Sequence, residues 1–513
     1  MQLRAERGKI ARSIVPFGDC IYPRIHFCCY KMPAHHLAPT LSAAVAPALP
    51  LACGSLAPTA RCGVRHPVNT RYASTHILGR RLHSATNAAM AAYKKLSGAR
   101  VAIQSVPVLQ DDFATLYPSV GHPGYIARSS SSTPELTLHA ATGGIAKTFT
   151  KDLLISPATR DVHDVRHEVV AAASSTSAAR AQDFLSELKA PSSAKAYGSY
   201  KDLVNDSTVD IIYIATPHSH HYQHARLALE AGKHVLIEKP VTVNVEQFVV
   251  LQDLAKKKER FMMEAVWTRF FPLSREVVDF ISQGKLGEIK RVFADFSFWN
   301  DVEKEFGTSH RMVNMDLAGG ALLDLGIYSL TWLFQAIYHT KPEAERKAPS
   351  VVSAVAKYKD TGCDEQTTVL LDFGGSHGVA TTSIRVASTP NVEYNTQDDI
   401  RIQGTLGDLT VNYAPRPRTY TLTPASSASR GTPGAFKHET KEFDDGPGGG
   451  HGMFWEADEC ARCVRDGRLQ SDVIGWKESE EVLRVMDEVR KQHDIVYPGS
   501  LEKTEYPLDG FGL

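Results

Sequence analysis

From about residue 136 to residue 266 the chain repeats one pattern, a short apolar run, a polar turn and a helical stretch. The runs cover 136–140, 167–173, 209–215, 234–238 and 260–265, and helical patterns over 147–154, 178–188, 220–231 and 245–257 lie between them. Strands that alternate with helices of this length form right-handed βαβ units around a parallel sheet. Apolar runs such as VDIIYIA at 209–215 suit strands that are covered on both faces. Ligands of such sheets bind outside the carboxyl ends of the strands. The turns that follow the runs are therefore where chemistry is expected.

The first turn has Ala141, Gly143 and Ala146 at the three special positions of the dinucleotide-binding pattern Gly-x-Gly-x-x-Gly/Ala. A side chain at position 143 would collide with a pyrophosphate, and the amides that open the next helix would bind it. Ala141, Thr142, Gly143, Gly144 and Ile145 are the expected phosphate contacts. The run before this turn is short and half polar, with Ser, Thr and Pro at 129–134 just upstream. It does not read as the strand that the downstream sequence was selected to pair with, and an error of splicing would leave such a join.

The turn after the second run selects the cofactor. An acid there would accept the ribose hydroxyls of NAD. The chain has Ser174, Ser175, Thr176 and Ser177, with Arg180 one turn later. Hydroxyls beside an arginine suit a 2′-phosphate, so NADP is favoured over NAD.

The next two turns carry Thr216-Pro217 with His221, and Glu238-Lys239-Pro240 after the run HVLIE. Together with Ala228-Leu229-Glu230-Ala231-Gly232-Lys233 and the later Gly319-Gly320-Ala321-Leu322-Leu323-Asp324-Leu325-Gly326-Ile327-Tyr328, these residues resemble the Gfo/Idh/MocA oxidoreductase family. The block Glu264-Ala265-Val266-Trp267-Thr268-Arg269-Phe270 and the tyrosine at 328 resemble its branch of dimeric dihydrodiol dehydrogenases and fungal NADP-dependent D-xylose 1-dehydrogenases. The resemblance spans about residues 141–500.

That resemblance implies an α/β Rossmann domain, a doubly wound parallel sheet, followed by an α+β domain with a large, mainly antiparallel open sheet. Independently of it, period-2 runs at 289–299, 351–357, 367–373, 380–386, 399–403 and 419–423 fit half-buried antiparallel strands. Amphipathic helices are expected at 456–464 and 478–491. The domain reading is a disordered or spurious extension over 1–135, a Rossmann domain over 136–266, and a substrate and dimerisation domain over 267–513.

The resemblance also implies an oxidoreductase that acts on a sugar hydroxyl, D-xylose to its 1,5-lactone, or on a cyclic diol. Lys239, at the carboxyl end of a buried strand, is expected to bond the reacting hydroxyl and to lower the pKa of a nearby phenol. Tyr328 is the expected general acid/base, four residues after Asp324 and so on one helical face with it. Asp324 would orient the substrate or Lys239, and Glu238 would be a structural or cofactor-orienting partner. Trp267, Arg269 and Arg311 are expected to wall the substrate pocket. Gly319 and Gly320 are expected to let the backbone approach a ligand. A non-catalytic NADP-binding protein on the same fold is the alternative that the weak first strand raises.

Other features point elsewhere. The 513 residues carry 57 basic and 57 acidic side chains, a balance that argues against a dedicated nucleic-acid binder. The zero hides an asymmetry, because residues 1–100 hold 14 Lys/Arg and two acids, a net of +12 against −12 for the rest. The acid-poor first hundred residues resemble a transit peptide or a stray extension. This leaves a cytoplasmic protein as the expectation, and a mitochondrial one if the segment is a working leader. The uncharged stretch 32–60 holds five prolines, which argues against a membrane span. His218, His220, His221 and His224 invite a metal, but no carboxylate or cysteine joins them locally, and helix-start contacts near the cofactor are expected instead. Cys460-x-x-Cys463 has no second pair, and the glycines at 446–450 have no strand-helix context for a phosphate. A homodimer through the open sheet is expected from the resemblance alone.

Overall fold

The strongest apolar runs of the first half become one parallel sheet. In this computed structural model, residues 143–390, 398–426, 436–444 and 446–512 are described, with the backbone of two short strands at 101–104 and 136–137. The early strands are β1 (Val101–Gln104), β2 (Leu136–Thr137), β3 (His167–Glu168), β4 (Ala171–Ala173), β5 (Lys195–Tyr197), β6 (Ile211–Ile214), β7 (His234–Glu238) and β8 (Met262–Ala265). Four of them form a parallel sheet in the order β1-β6-β7-β8. The parallel pair β4-β5 lies beside β1, which gives the doubly wound order.

Helices α1 (Gly144–Leu154), α2 (Ala178–Glu187), α3 (His221–Glu230) and α4 (Val245–Lys258) alternate with these strands. Two of them start at a capping side chain. Ser177 caps α2 by accepting from the Arg180 amide at 3.2 Å, and Asn244 caps α4 by accepting from the Gln247 amide at 2.9 Å. Helix α3 ends before Gly232, whose φ of +78° continues the chain into β7 at no steric cost.

The first strand departs from the sequence expectation. Within 136–140 the described strand is Leu136–Thr137, which pairs with β3 in a separate two-stranded sheet. The strand beside Ile211–Ile214 is Val101–Gln104, so the Rossmann sheet takes in residues that the reading above placed in the 1–135 extension. The reason is compositional. Val-Ala-Ile-Gln is an apolar run that suits a central parallel strand, whereas Leu-Thr-Leu-His alternates with polar groups. The apparent span at 32–60 lies outside the described residues.

The second half is built on eight strands: β9 (Ile289–Ser297), β10 (Ser350–Lys357), β11 (Asp364–Asp372), β12 (His377–Ser383), β13 (Ile400–Gly404), β14 (Gly407–Val411), β15 (Thr419–Pro424) and β16 (Glu439–Glu442). Their order is β10-β11-β12-β9-β13-β14-β15-β16, antiparallel throughout except for the parallel pair β12-β9. Six follow the predicted runs; β14 and β16 are additions. A helical stretch over 322–339 packs on β9 and β12. It winds as a π turn at Leu322–Gly326, as helix α5 at Ile327–Leu333, and as a π turn again at Phe334–His339. Helices α6 (Phe454–Arg465) and α7 (Trp476–Gln492) return to the first domain.

Candidate active site

Lys239 leaves the carboxyl end of β7, where the sheet logic puts ligands, and a cis peptide joins it to Pro240. Its ammonium donates to the Asp324 carboxylate at 2.8 Å and to the Asp324 carbonyl at 2.7 Å. The same ammonium stands 5.0 Å from the centroid of the Tyr328 ring. The three residues expected to cooperate are therefore together, with Asp324 inside the first π turn of the 322–339 stretch. Such turns recur at functional sites because they re-aim side chains.

Asp324 is a hub. Its second oxygen accepts from Arg311 at 3.0 Å, and the His218 ring nitrogen stands 3.6 Å from the first. Burial pushes this carboxyl up, but Arg311 and Lys239 outweigh it and hold the pKa well below the usual carboxylate range. Arg311 keeps about a third of its side chain exposed while Asp324 holds its guanidinium.

Tyr328 differs from expectation. Lys239 was expected to lower the phenol pKa. Instead the phenol oxygen accepts from the Trp267 indole at 2.8 Å while the ammonium faces the ring. Burial, then the charge of Glu238, push the phenol well above its usual value, against the pull of the Trp267 bond. Trp267 also stacks on His451, with centroids 5.2 Å apart and planes 9° from parallel. It thus stands beside Tyr328 in the same cluster.

Three other expectations are corrected. Arg269 has a side chain only 2% exposed, ion-paired with Glu478 and bonded to the Val473 carbonyl at 2.6 Å, so it braces the fold and does not reach substrate. His221 is fully buried, with ring nitrogens 2.7 Å from the Pro240 carbonyl and 2.8 Å from the Thr216 carbonyl. Burial pushes its pKa down to about 3 against the pull of the two carbonyls, and the enclosed ring sits between two strand-end turns without reaching a cofactor. Glu238 points into the sheet and accepts from the Tyr213 phenol. Burial raises its pKa to about 7. It acts on the site through charge, with no path to a ligand.

The glycine pair is also reassigned. A Cβ on Gly319 would stand 2.7 Å from the Arg311 carbonyl, and one on Gly320 would overlap the Asp364 carboxylate. Protein atoms, not a ligand, demand both glycines. Asp364 in turn accepts from the Leu322 amide at 2.6 Å, which fixes the start of the π turn.

The residues expected to hold a dinucleotide fit one. Ala141 and Thr142 lie outside the described residues. A Cβ added to Gly143 or Gly144 would meet nothing within 4 Å, so open space lies where α1 begins. Helix α1 has no side-chain cap and no acid in its first turn, which leaves its amides for an anion. Ile145 is 40% exposed there. At the end of β4, the Ser174 and Thr176 hydroxyls bond each other at 2.8 Å, Ser175 and Arg180 are half-buried, and no carboxylate intervenes. Thr216 and Pro217 follow β6 in the same row of strand ends.

The four histidines each have protein partners. His218 contacts the Ala318 carbonyl at 3.2 Å, His220 the Ser219 hydroxyl at 2.8 Å, and His224 the Phe511 carbonyl at 2.7 Å. Cys460 and Cys463 are buried in α6. The loop around Gly448 packs on Ile155 and Thr159.

Sequence reasoning missed a group of buried acids behind the site. Asp152 accepts from the His451 and Met453 amides at 2.7 Å each, and burial raises its pKa to about 6. Glu456 is buried with neither carboxyl oxygen hydrogen-bonded, and burial raises its pKa well above normal. Both sit in helices that read as ordinary amphipathic sequence, so only the packing reveals them.

Comparison with known proteins agrees with this architecture. The model of the Gfo/Idh/MocA oxidoreductase family, NAD-binding Rossmann fold, matches residues 142–266, and that of the Gfo/Idh/MocA C-terminal domain matches 274–410. The D-xylose 1-dehydrogenase (NADP(+)) of Hypocrea jecorina is 48% identical over 365 residues, covering 70% of this chain and 92% of its own. The trans-1,2-dihydrobenzene-1,2-diol dehydrogenase of Danio rerio is 33% identical over 355 residues, covering 69% of this chain and 96% of its own. Among solved structures, an NAD binding oxidoreductase from Klebsiella pneumoniae superposes with a TM-score of 0.58 at 21% identity, covering 70% of this chain and 97% of its own. That likeness speaks for the fold alone.

Proposed function

The chain belongs to the Gfo/Idh/MocA oxidoreductase family, and from that premise we propose that it is an NADP-dependent dehydrogenase that oxidises D-xylose to D-xylono-1,5-lactone. The observation that carries this reading is the Lys239 ammonium, held between the Asp324 carboxylate and the Tyr328 ring at the end of β7. The 48% identical relative names the substrate and the cofactor.

In this reading Gly143, Gly144 and Ile145 hold the pyrophosphate, and Ser174, Ser175 and Arg180 hold the 2′-phosphate. Thr216 and Pro217 border the same cleft. A bound NADP supplies the hydride acceptor. Lys239 donates to the anomeric oxygen, and Tyr328, once its own proton has left to solvent, takes the hydroxyl proton as the carbon–hydrogen bond breaks. Asp324 keeps the ammonium aimed, and Arg311 and Trp267 face the sugar. With its pKa pushed up, the phenol keeps its proton in the resting protein. Proton removal is therefore the step that the nearby charges of Glu238 and Asp324 restrain.

A cyclic trans-diol is the second reading. The dihydrodiol dehydrogenase relative and the flat wall of Trp267 stacked on His451 favour it. A homodimer through the open sheet belongs to the same proposal. Val352, Leu370 and Phe293 lie in one cross-strand row of that sheet at 63%, 44% and 37% exposure, an apolar stripe suited to a partner. We place the enzyme in the cytoplasm, with mitochondrial import as the alternative that the basic first hundred residues raise.

The test is NADPH appearance with D-xylose, compared with trans-dihydrobenzenediol. Lys239→Ala should lower kcat by about 10²- to 10⁴-fold. Absence of turnover in the wild type, or full activity in that variant, would reject the reading. Tight NADPH binding without turnover would instead support a non-catalytic role.

A further inference from the structure

Residues 504–512 run across the outer side of α3 to the row of strand ends, anchored by three successive side chains of that helix. The Tyr222 hydroxyl donates to the Thr504 carbonyl at 2.6 Å. The Gln223 amide donates to the Glu505 carbonyl at 2.7 Å and accepts from the Leu508 amide at 3.2 Å. The fully buried His224 ring contacts the Phe511 carbonyl at 2.7 Å and the Thr216 hydroxyl at 3.2 Å. Burial keeps that imidazole neutral, with a pKa near 3. A carbonyl can only accept, so Nε2 carries the proton and Nδ1 accepts from Thr216. The Arg226 guanidinium lies over the Tyr506 ring, 4.7 Å from its centroid.

The segment ends at two places that matter. The Phe511 ring packs 4.9 Å from the His220 ring, just after the Thr216-Pro217 turn, and is only 6% exposed. The Gly512 backbone lies against Ser175, where a Cβ would come within 3.1 Å of the serine Cβ. Gly510 and Gly512 have φ of +92° and +66°, conformations that glycine adopts most readily. The tip of the segment thus bridges the turn after β4 and the turn after β6. In a doubly wound sheet these two turns flank the adenosine half of a dinucleotide.

We infer that residues 504–512 form a strap that positions the adenosine 2′-phosphate site, with Phe511 walling the pocket and Gly512 fixing the Ser175 turn. This rests on the NADP reading above. Phe511 and Gly512 are positioning residues whose contacts run to His220, His224 and Ser175, so they should govern cofactor affinity without touching the proton chemistry.

The test is titration of purified full-length protein with NADPH and with 2′,5′-ADP, which has no nicotinamide, by calorimetry. Phe511→Ala and Gly512→Val should each weaken both ligands by about threefold to tenfold, with KM for NADP rising in step and kcat changing less than about twofold. If one variant fails to fold, the other decides. A wild type that binds both ligands, with affinities unchanged in the folded variants, would overturn the inference and leave the function reading standing. A wild type that binds no NADPH would overturn both.

Discussion

Replacing Arg269 by methionine separates a brace from a substrate ligand. The guanidinium is the main charge partner of Glu478, and both side chains are 2% exposed. Burial would push the Glu478 carboxyl up, but Arg269 and His339 overcome it and bring the pKa from 4.5 down to about 2. At ~1.4 kcal/mol per pH unit this is worth about 3 kcal/mol. Breaking one side of a buried ion pair costs about 3–5 kcal/mol by a separate route, which agrees. The sign follows from the lowered pKa. The stabilisation is present above pH 4.5 and is lost as pH falls toward 2. Arg269→Met should therefore lose about 3–5 kcal/mol at pH 7 by urea unfolding, with a smaller deficit at pH 4. The double variant Arg269→Met with Glu478→Met should recover much of the loss, because no charge is left buried alone. The folded fraction should keep its KM for the sugar. An unchanged unfolding midpoint with a raised KM would refute the reasoning and return Arg269 to the substrate pocket.

The remaining predictions concern the site and its supports. The Glu238 charge helps to raise the Tyr328 phenol, so Glu238→Gln should lower that pKa and move the rising limb of the pH–rate profile for oxidation to lower pH; a limb that stays or moves up contradicts it. Trp267→Phe removes the indole N–H from the phenol oxygen. It should cut kcat by about tenfold or more while Tm falls little, read by steady-state kinetics and a thermal melt. Gly320→Ala places a Cβ on the Asp364 carboxylate at a φ of +134° and should destabilise by about 2 kcal/mol or more. A melt that matches wild type would show that the π turn has room to shift.

The strands and helices of the first domain were legible because their signals are local. An apolar run such as HVLIE stops one residue short of Pro240, and α3 ends at Glu230, one residue from the expected place. The Lys239, Asp324 and Tyr328 grouping was legible through two motifs, since spacing put the last two on one face. Arg269 was misread because its partner is 209 residues away, and nothing near it in sequence announces an ion pair. Gly320 was misread for the same reason, as Asp364 arrives from β11, whereas Gly319 is closed in by the backbone of Arg311 and Asn314. The first strand was missed because a four-residue run carries little periodicity, and a half-polar run stood next to the glycine turn. Long-range docking of 504–512 on α3 leaves no signature in either segment.

The Asp324 hub has a mechanical consequence. Lys239 belongs to the parallel-sheet domain and Asp324 to the open-sheet domain, and two bonds of 2.8 and 2.7 Å join them. Any rigid swing of one domain that keeps these bonds must turn close to them. The reacting groups then sit near the axis and keep their spacing, whereas groups farther along the cleft sweep a wider arc.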